Sequence, residues 1–209
     1  MANSDAKSGF RPVRHLDGRS WNGGTRMYLV PSGDGTALFV GDLVKSGGSA
    51  GALGTVVNGI DVEGMQTVVQ AAAADALIVG AVVGFLPDPD NLMRKHRLAS
   101  TNRIALVCDD PTVVYEVQED SDTNTLVAAD VGENCEIIVA AGNTTTGLSG
   151  MEIDSSSHTA SAAQIRVLGL VKRPDNNMGD NATAASSTYV NGKWEVVINE
   201  HAYKSTTGT

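Results

Sequence analysis

The chain has 209 residues, 42% of them hydrophobic, which suffices for one large β domain or two small ones with a buried core and excludes disorder throughout. Aromatic residues make up only 4%, so Val, Leu, Ile and Ala must fill the interior, and few rings remain to stack on bases or sugars. A net charge of −9 disfavours nonspecific adhesion to nucleic acid or to an anionic membrane, so no direct nucleic-acid partner and no membrane partner is expected.

Residues 1–25 are polar and punctuated by glycine, with Lys7, Arg11, Arg14 and Arg19 (and Arg26 just beyond) against Asp5 and Asp17. No periodicity is visible there. Phe10, Pro12, Val13 and Trp21 are apolar anchors, which predicts an extended N-terminal arm that orders on a partner rather than a free tail. The opening MANSDAKSGFRPVRHLDG has no apolar h-region, and the longest apolar run, Ala76 to Leu86, is about half of what a bilayer needs. The expectation is a soluble chain that is not exported through a signal peptide.

From Arg26, RMYLV, the turn Pro31-Ser-Gly-Asp-Gly and ALFVGDLV predict a hairpin, followed by a flexible loop over Lys45 to Gly54. Asn58-Gly59 between β-branched runs is the chemistry of a type I′ hairpin, which requires positive φ twice, and the pair recurs at Asn191-Gly192. Gln66 to Asp75 mixes strand-forming Thr67, Val68 and Val69 with helix-favouring alanines and is read as strand, then turn. The clearest strands are Leu77 to Phe85, Arg103 to Cys108 and Thr112 to Gln118, short β-branched runs bordered by Pro, Asn and Asp. In the last of these, Val113, Tyr115 and Val117 share one face and Val114 and Glu116 the other. Asp90 to Ala99 reads either as a short helix capped by Asp90 or Asn91, with Arg94, Lys95, His96 and Arg97 toward its C-terminus, or as a solvated turn. CEIIVAA, QIRVLGLV and Lys193 to Glu200 add strands, separated by polar loops over Gly142 to Gly150 and Pro174 to Ser187. The fold class expected is all-β, mainly antiparallel: a β-barrel or jelly-roll-like domain over residues 26–209, with room for two subdomains, plus the arm and one short helix.

Motifs for chemistry are incomplete. Gly47-Gly-Ser49-Ala-Gly51 matches a nucleophile elbow, but Ala52-Leu-Gly54-Thr does not read as the helix that must follow. Asp120-Ser-Asp122-Thr-Asn124 copies the first three ligand positions of a calcium loop, then has Thr125 where the turn needs Gly and Val131 where a bidentate Glu is needed. His15, His96, His158 and His201 lack metal-ligand spacing, so a metal site would have to be assembled wholly by the fold. Cys108 and Cys135 sit in apolar runs and read as small buried hydrophobes. No catalytic, cofactor or metal residue is assigned, and the chain is not expected to be an enzyme.

The most unusual feature is a charge asymmetry. Between Asp109 and Asp154 lie eleven acidic residues and no Lys or Arg. The basic first 26 residues and the Arg94, Lys95, Arg97 group offer complementary partners for that acidic surface, in a neighbouring copy or in another protein. Contact candidates are therefore Phe10, Arg11, Arg14, Trp21, Arg94, Lys95 and Arg97.

Four stretches, the early hairpin-like run Thr25 to Lys45, VVGFLPDP with RLASTNRIALVCDDPTVVYEVQED inside Val82 to Asp120, GLSGMEIDSS from Gly147, and LGLVKRPDNNMG with WEVVINEH inside Leu168 to His201, are spread in order along most of the chain. In this combination the chain resembles phage structural proteins of the head cement, or capsid decoration, family. The resemblance implies a β-barrel or jelly-roll-like protein on the capsid exterior of the virion, assembled in the host bacterial cytoplasm. Its partner would be a major capsid protein of the HK97 fold, and it would self-associate as a homotrimer, with a dimer as second choice. A phage tail or receptor-binding β protein is the alternative, for which aromatic-rich exposed loops would be the mark. The motifs that carry the resemblance are structural, so no functional residue transfers with them.

Overall fold

β-Branched strands buried on both faces set the architecture. The computed structural model describes residues 3–205. Five strands, β2 (Arg26–Val30), β3 (Leu43–Ala50), β6 (Gln66–Gln70), β7 (Ile78–Phe85) and β8 (Arg103–Cys108), close on themselves in the order β2-β6-β3-β7-β8. All neighbours in this ring are antiparallel except β2 and β6. A second, open sheet runs β1-β9-β14-β13-β10, from β1 (Arg11–His15), β9 (Val113–Gln118), β14 (Lys193–Ile198), β13 (Ile165–Leu170) and β10 (Asn134–Cys135). Two short antiparallel pairs complete the strands among the described residues: the hairpin of β4 (Val56–Val57) with β5 (Ile60–Asp61), and β11 (Ile137–Ile138) with β12 (Glu152–Ile153). The fold is all-β and mainly antiparallel, as its sequence implies.

The ring shares one wall with the open sheet. Val44, Val79, Val82 and Val107 join Tyr28, Val30, Val68 and Ala105 in a cluster fed by all five ring strands, its interior. Leu43, Ile78, Ala81 and Cys108, one residue away, face the other way and pack against Val113, Tyr115, Val117, Ile165, Val167, Trp194, Val196 and Ile198 of the open sheet. The predicted face of β9 is therefore the core face. Ile78 and Ala81 can share that side because β7 carries a bulge: Lys45 pairs with Ile78 and Val44 with Gly80, leaving Val79 as the extra residue. Glycine is required at 80, since a Cβ there would collide with the carbonyl of Cys108. Tyr115 donates its hydroxyl to that same carbonyl at 3.0 Å, joining sheet to wall. Cys108 and Cys135 are free, buried and part of this core.

Several local expectations give way to long-range pairing. The run after β2 does not form a hairpin with it, because β2 takes β8 and β6 as neighbours and Leu38 and Val40 make only isolated bridges. The expected loop from Lys45 is β3 as far as Ala50, paired with β6 through a register shift. Asn58 and Gly59 have φ of 51° and 81°, as the type I′ turn demands. Asn191 also has positive φ, but Gly192 turns its N–H onto the Glu119 carboxylate and no hairpin forms. Asp90 to Ala99 is a series of turns, not a helix.

The expected arm over residues 1–25 is, in its described part, a component of the domain; residues 1–2 lie outside the described residues. β1 is an edge strand on β9, with Pro12 and a register shift that blunt the edge. Phe10 is buried edge-on against Tyr115, with ring centroids 6.4 Å apart, so its apolar anchor is in its own chain. Gly9, at φ 63°, lets the segment cross Gly41 where a side chain would collide.

Glu119, just past β9, is fully buried and accepts the N–H groups of Leu126 at 2.7 Å and Gly192 at 2.9 Å, anchoring two loops. Burial pushes its carboxyl up to about 7 against those donors. Burial likewise raises Asp42 and Asp120 to about 6, and lowers His201 to about 4. A carboxyl raised in the folded state stabilises the fold below its unfolded pKa, and that contribution is lost as pH rises through the folded value. His201 opposes this mainly below its unfolded value, so above pH about 6.5 the slope comes chiefly from Glu119, with Asp42 and Asp120 adding to it in the same direction. Denaturant unfolding is expected to show a stability loss of roughly 1 kcal/mol between pH 6 and 8, and Glu119→Gln is expected to flatten that slope whatever it does to the absolute level.

Candidate interaction surface

The β4–β5 hairpin lays Val57 and Val62 on Leu29 and Ile104 of the ring's outer wall. Beside it the chain leaves β7 through Leu86-Pro-Asp-Pro-Asp-Asn, a segment whose prolines and Asx residues favour turns over helix. This loop is pinned. Asp88 Oδ2 receives Arg103 at 3.0 Å and Arg94 at 2.7 Å, and Arg103 also donates Nε to the Leu86 carbonyl at 3.0 Å. Asp88 Oδ1 accepts the Asp90 N–H, and Asn91 Oδ1 accepts the Met93 N–H, each at 3.1 Å. Because Arg103 is rooted in β8 with its side chain only 5% exposed, the charge pair ties the loop to the ring in a partly dry setting.

What this loop holds out is apolar. Leu92 is 77% exposed and Met93 82%, and Val56 on the neighbouring hairpin is 60% exposed. A groove of about 420 Å³ runs between hairpin and loop, lined by Asn58, Ile60, Leu86, Pro87, Pro89 and Leu92. Asn58 donates to the Pro87 carbonyl at 3.3 Å across its floor. Scattered apolar side chains on a surface are ordinary, but a groove with long apolar side chains on a hydrogen-bonded loop is the form of a contact site. Leu92 and Met93 were not singled out from the sequence; the signal that could have found them is two long apolar side chains set among turn formers.

The contact candidates from sequence do not form one surface. Arg97 is fully buried: its guanidinium donates to the carbonyls of Pro31 at 2.7 Å, Asp34 at 2.9 Å, Thr101 at 2.9 Å and Thr36, and pairs with Asp34 Oδ2 at 3.4 Å. It clamps the 31–36 turn and is no contact residue. His96 beside it stacks on Phe39, with ring centroids 4.9 Å apart. Phe10 is core, as described. Arg94 is held by Asp88, and Arg14 by Glu195 at 2.5 Å. Trp21 packs against the main core and lines a hollow of about 330 Å³ with His15, Arg26, Asp109 and Asp110. Arg11 and Lys95 are exposed.

The acidic stretch is likewise not simply a surface. Glu119, Asp120, Asp130 and Glu152 are buried. Lys7 pairs with Glu152 at 2.6 Å, His15 with Asp110 at 3.4 Å and Arg26 with Asp109 at 3.2 Å, so the basic N-terminal segment meets the acidic stretch inside one chain. Asp120 accepts the N–H and hydroxyl of Ser155 at 3.0 and 2.7 Å, which is the use of the calcium-like sequence. Ser49 lies in β3, sharing a 2.9 Å hydrogen bond with Thr67, and is not on an elbow. No helix among the described residues is long and apolar enough to cross a membrane. No protein-family model, no curated protein and no solved structure matches the chain.

Removing Arg97 takes a donor from four carbonyls and from the Asp34 carboxylate, and of those carbonyls only the ones of Pro31 and Asp34 keep a backbone N–H, from Asp34 and Ser100 respectively. Arg97→Met is expected to cost about 3–5 kcal/mol in denaturant unfolding, whereas Lys95→Ala is expected to stay within about 0.5 kcal/mol of wild type.

Proposed function

We propose that this chain is a capsid decoration protein of a phage: it binds the outside of an icosahedral shell of HK97-fold major capsid protein and stabilises the head against the pressure of packaged DNA. The observation that supports this reading is the pinned loop presenting Leu92 and Met93 beside the apolar groove, taken with the expectation of a head cement protein drawn from the sequence. A contact loop that is already ordered loses little conformational entropy on docking, which favours a repeated, permanent attachment.

Self-association as a homotrimer, with a dimer as the second choice, belongs to the same proposal. Several linked copies turn each further capsid contact into an intramolecular one and so raise the strength of the whole without new contacts. The net charge of −9 keeps decorated heads apart in solution. Exposed Lys95, next to the loop, supplies a rim cation that steers docking more than it holds it. The site of action is the exterior of the virion, reached by assembly in the bacterial cytoplasm.

The test combines solution mass by light scattering with sedimentation alongside empty expanded capsids. A discrete trimer or dimer that co-sediments is expected, with Leu92→Asp/Met93→Asp weakening capsid affinity by about tenfold or more while leaving the unfolding midpoint unchanged. A wild-type monomer that stays in the supernatant would sink the proposal and turn attention to the tail-protein alternative.

A further inference from the structure

The histidine spacings leave any metal site to the fold, and among the described residues the fold assembles one group. Asp130 ends a 3-10 turn (Ala128–Asp130), Glu133 follows it, and His158 follows the turn Ser155–Ser157 on a separate stretch of chain. We propose that Asp130 Oδ1, Glu133 Oε2 and His158 Nδ1 bind a divalent first-row cation of the Zn²⁺ type.

The three donor atoms lie within 4.8 Å of one another. His158 Nδ1 is 3.1 Å from Asp130 Oδ1 and 3.4 Å from Glu133 Oε2. An ion with bonds of about 2.0–2.1 Å sets adjacent ligands about 2.9 Å apart in an octahedron and about 3.4 Å apart in a tetrahedron, so both spacings suit a shared ion. A hydrogen bond accounts for only part of this, since one Nδ1–H points at one carboxylate and 3.4 Å is long for a second bond.

The donors are positioned by the backbone. Asp130 is buried, and its Oδ2 accepts the Val127 N–H at 2.7 Å, which leaves Oδ1 for an ion. Glu133 donates its N–H to the Asp130 carbonyl at 3.1 Å, fixing the turn that carries both acids. His158 is held from its two sides: Thr159 and Asn134 exchange backbone hydrogen bonds of 2.9 Å, and Ser157 Oγ accepts the Glu136 N–H at 2.8 Å. Glu133 and His158 are each about a third exposed, which gives an ion its entry and leaves the remaining coordination positions to water.

The chemistry selects the ion. One neutral imidazole with two carboxylates suits Zn²⁺, Mn²⁺ or Co²⁺ better than Ca²⁺, which prefers an all-oxygen set. Cys135, nearby in sequence, is buried in the main hydrophobic core and is not among the three converging donors. Bound, the ion would staple the 127–135 turn to the 155–159 turn. This inference is independent of the proposed function.

The test uses the full chain, treated with chelator and titrated near neutral pH with ZnCl₂ alone by calorimetry, and with Co²⁺ for its visible absorption. One equivalent is expected to bind, with a melting temperature that rises with free Zn²⁺ and falls back on chelation. His158→Ala and Glu133→Gln are each expected to weaken binding by about tenfold or more while melting like the metal-free wild type, and His15→Ala is expected to bind as wild type does. Absence of saturable binding in the wild type, or equal affinity in His158→Ala, would overturn the proposal.

Discussion

The structure depends on one shared wall. Strands β3, β7 and β8 turn one set of side chains into the closed ring and the alternate set onto the open sheet, so a single layer of backbone serves two cores. Only a period of two can do this, and a one-residue slip would exchange the two sets. The bulge at Val79 and Gly80 keeps the alternation in phase with both partners, and the tight approach of Gly80 to Cys108 is what permits it. Burying both faces of β7 and β8 explains why they read as continuous apolar runs rather than as alternating ones.

The charges follow from that layering. Once two sheets enclose the core, the loops at their ends need donors and acceptors of their own, and ionised side chains provide them. Arg97 satisfies carbonyls of the 31–36 turn and Glu119 satisfies two N–H groups, each acting as a bracket for loop backbone that has no strand to pair with. The acidic stretch and the basic N-terminal segment are adjacent on the folded surface and partly neutralise each other there. A charge pattern that looks like two halves of an interface is in this chain largely an internal fit.

Two features remain that these internal fits do not use. The loop bearing Leu92 and Met93 is fixed by Asp88, Arg94 and Arg103 yet gives its apolar side chains to water, an arrangement that costs solvation free energy unless a partner covers it. At another place on the molecule, Asp130, Glu133 and His158 converge from two turns. The first suits a macromolecular surface and the second a small cation, and the two are chemically independent.

By itself the sequence determined the all-β class, the positions of β7, β8, β9, β13 and β14, the core face of β9 and the Asn58-Gly59 turn. These are local matters of β-branched content, period and positive φ. It also marked both cysteines as buried hydrophobes, because their neighbours are apolar. Tertiary structure decided the partners. Ring closure took β2 away from its expected hairpin and drew Lys45 to Ala50 into β3, since pairing across the ring satisfies more backbone than a local turn does. It also folded the expected arm onto β9, buried Arg97 and Phe10, and brought His158 to two carboxylates from a distant turn. None of these is written in spacing, because each depends on which backbone groups and apolar faces remain unpaired after the sheets have formed.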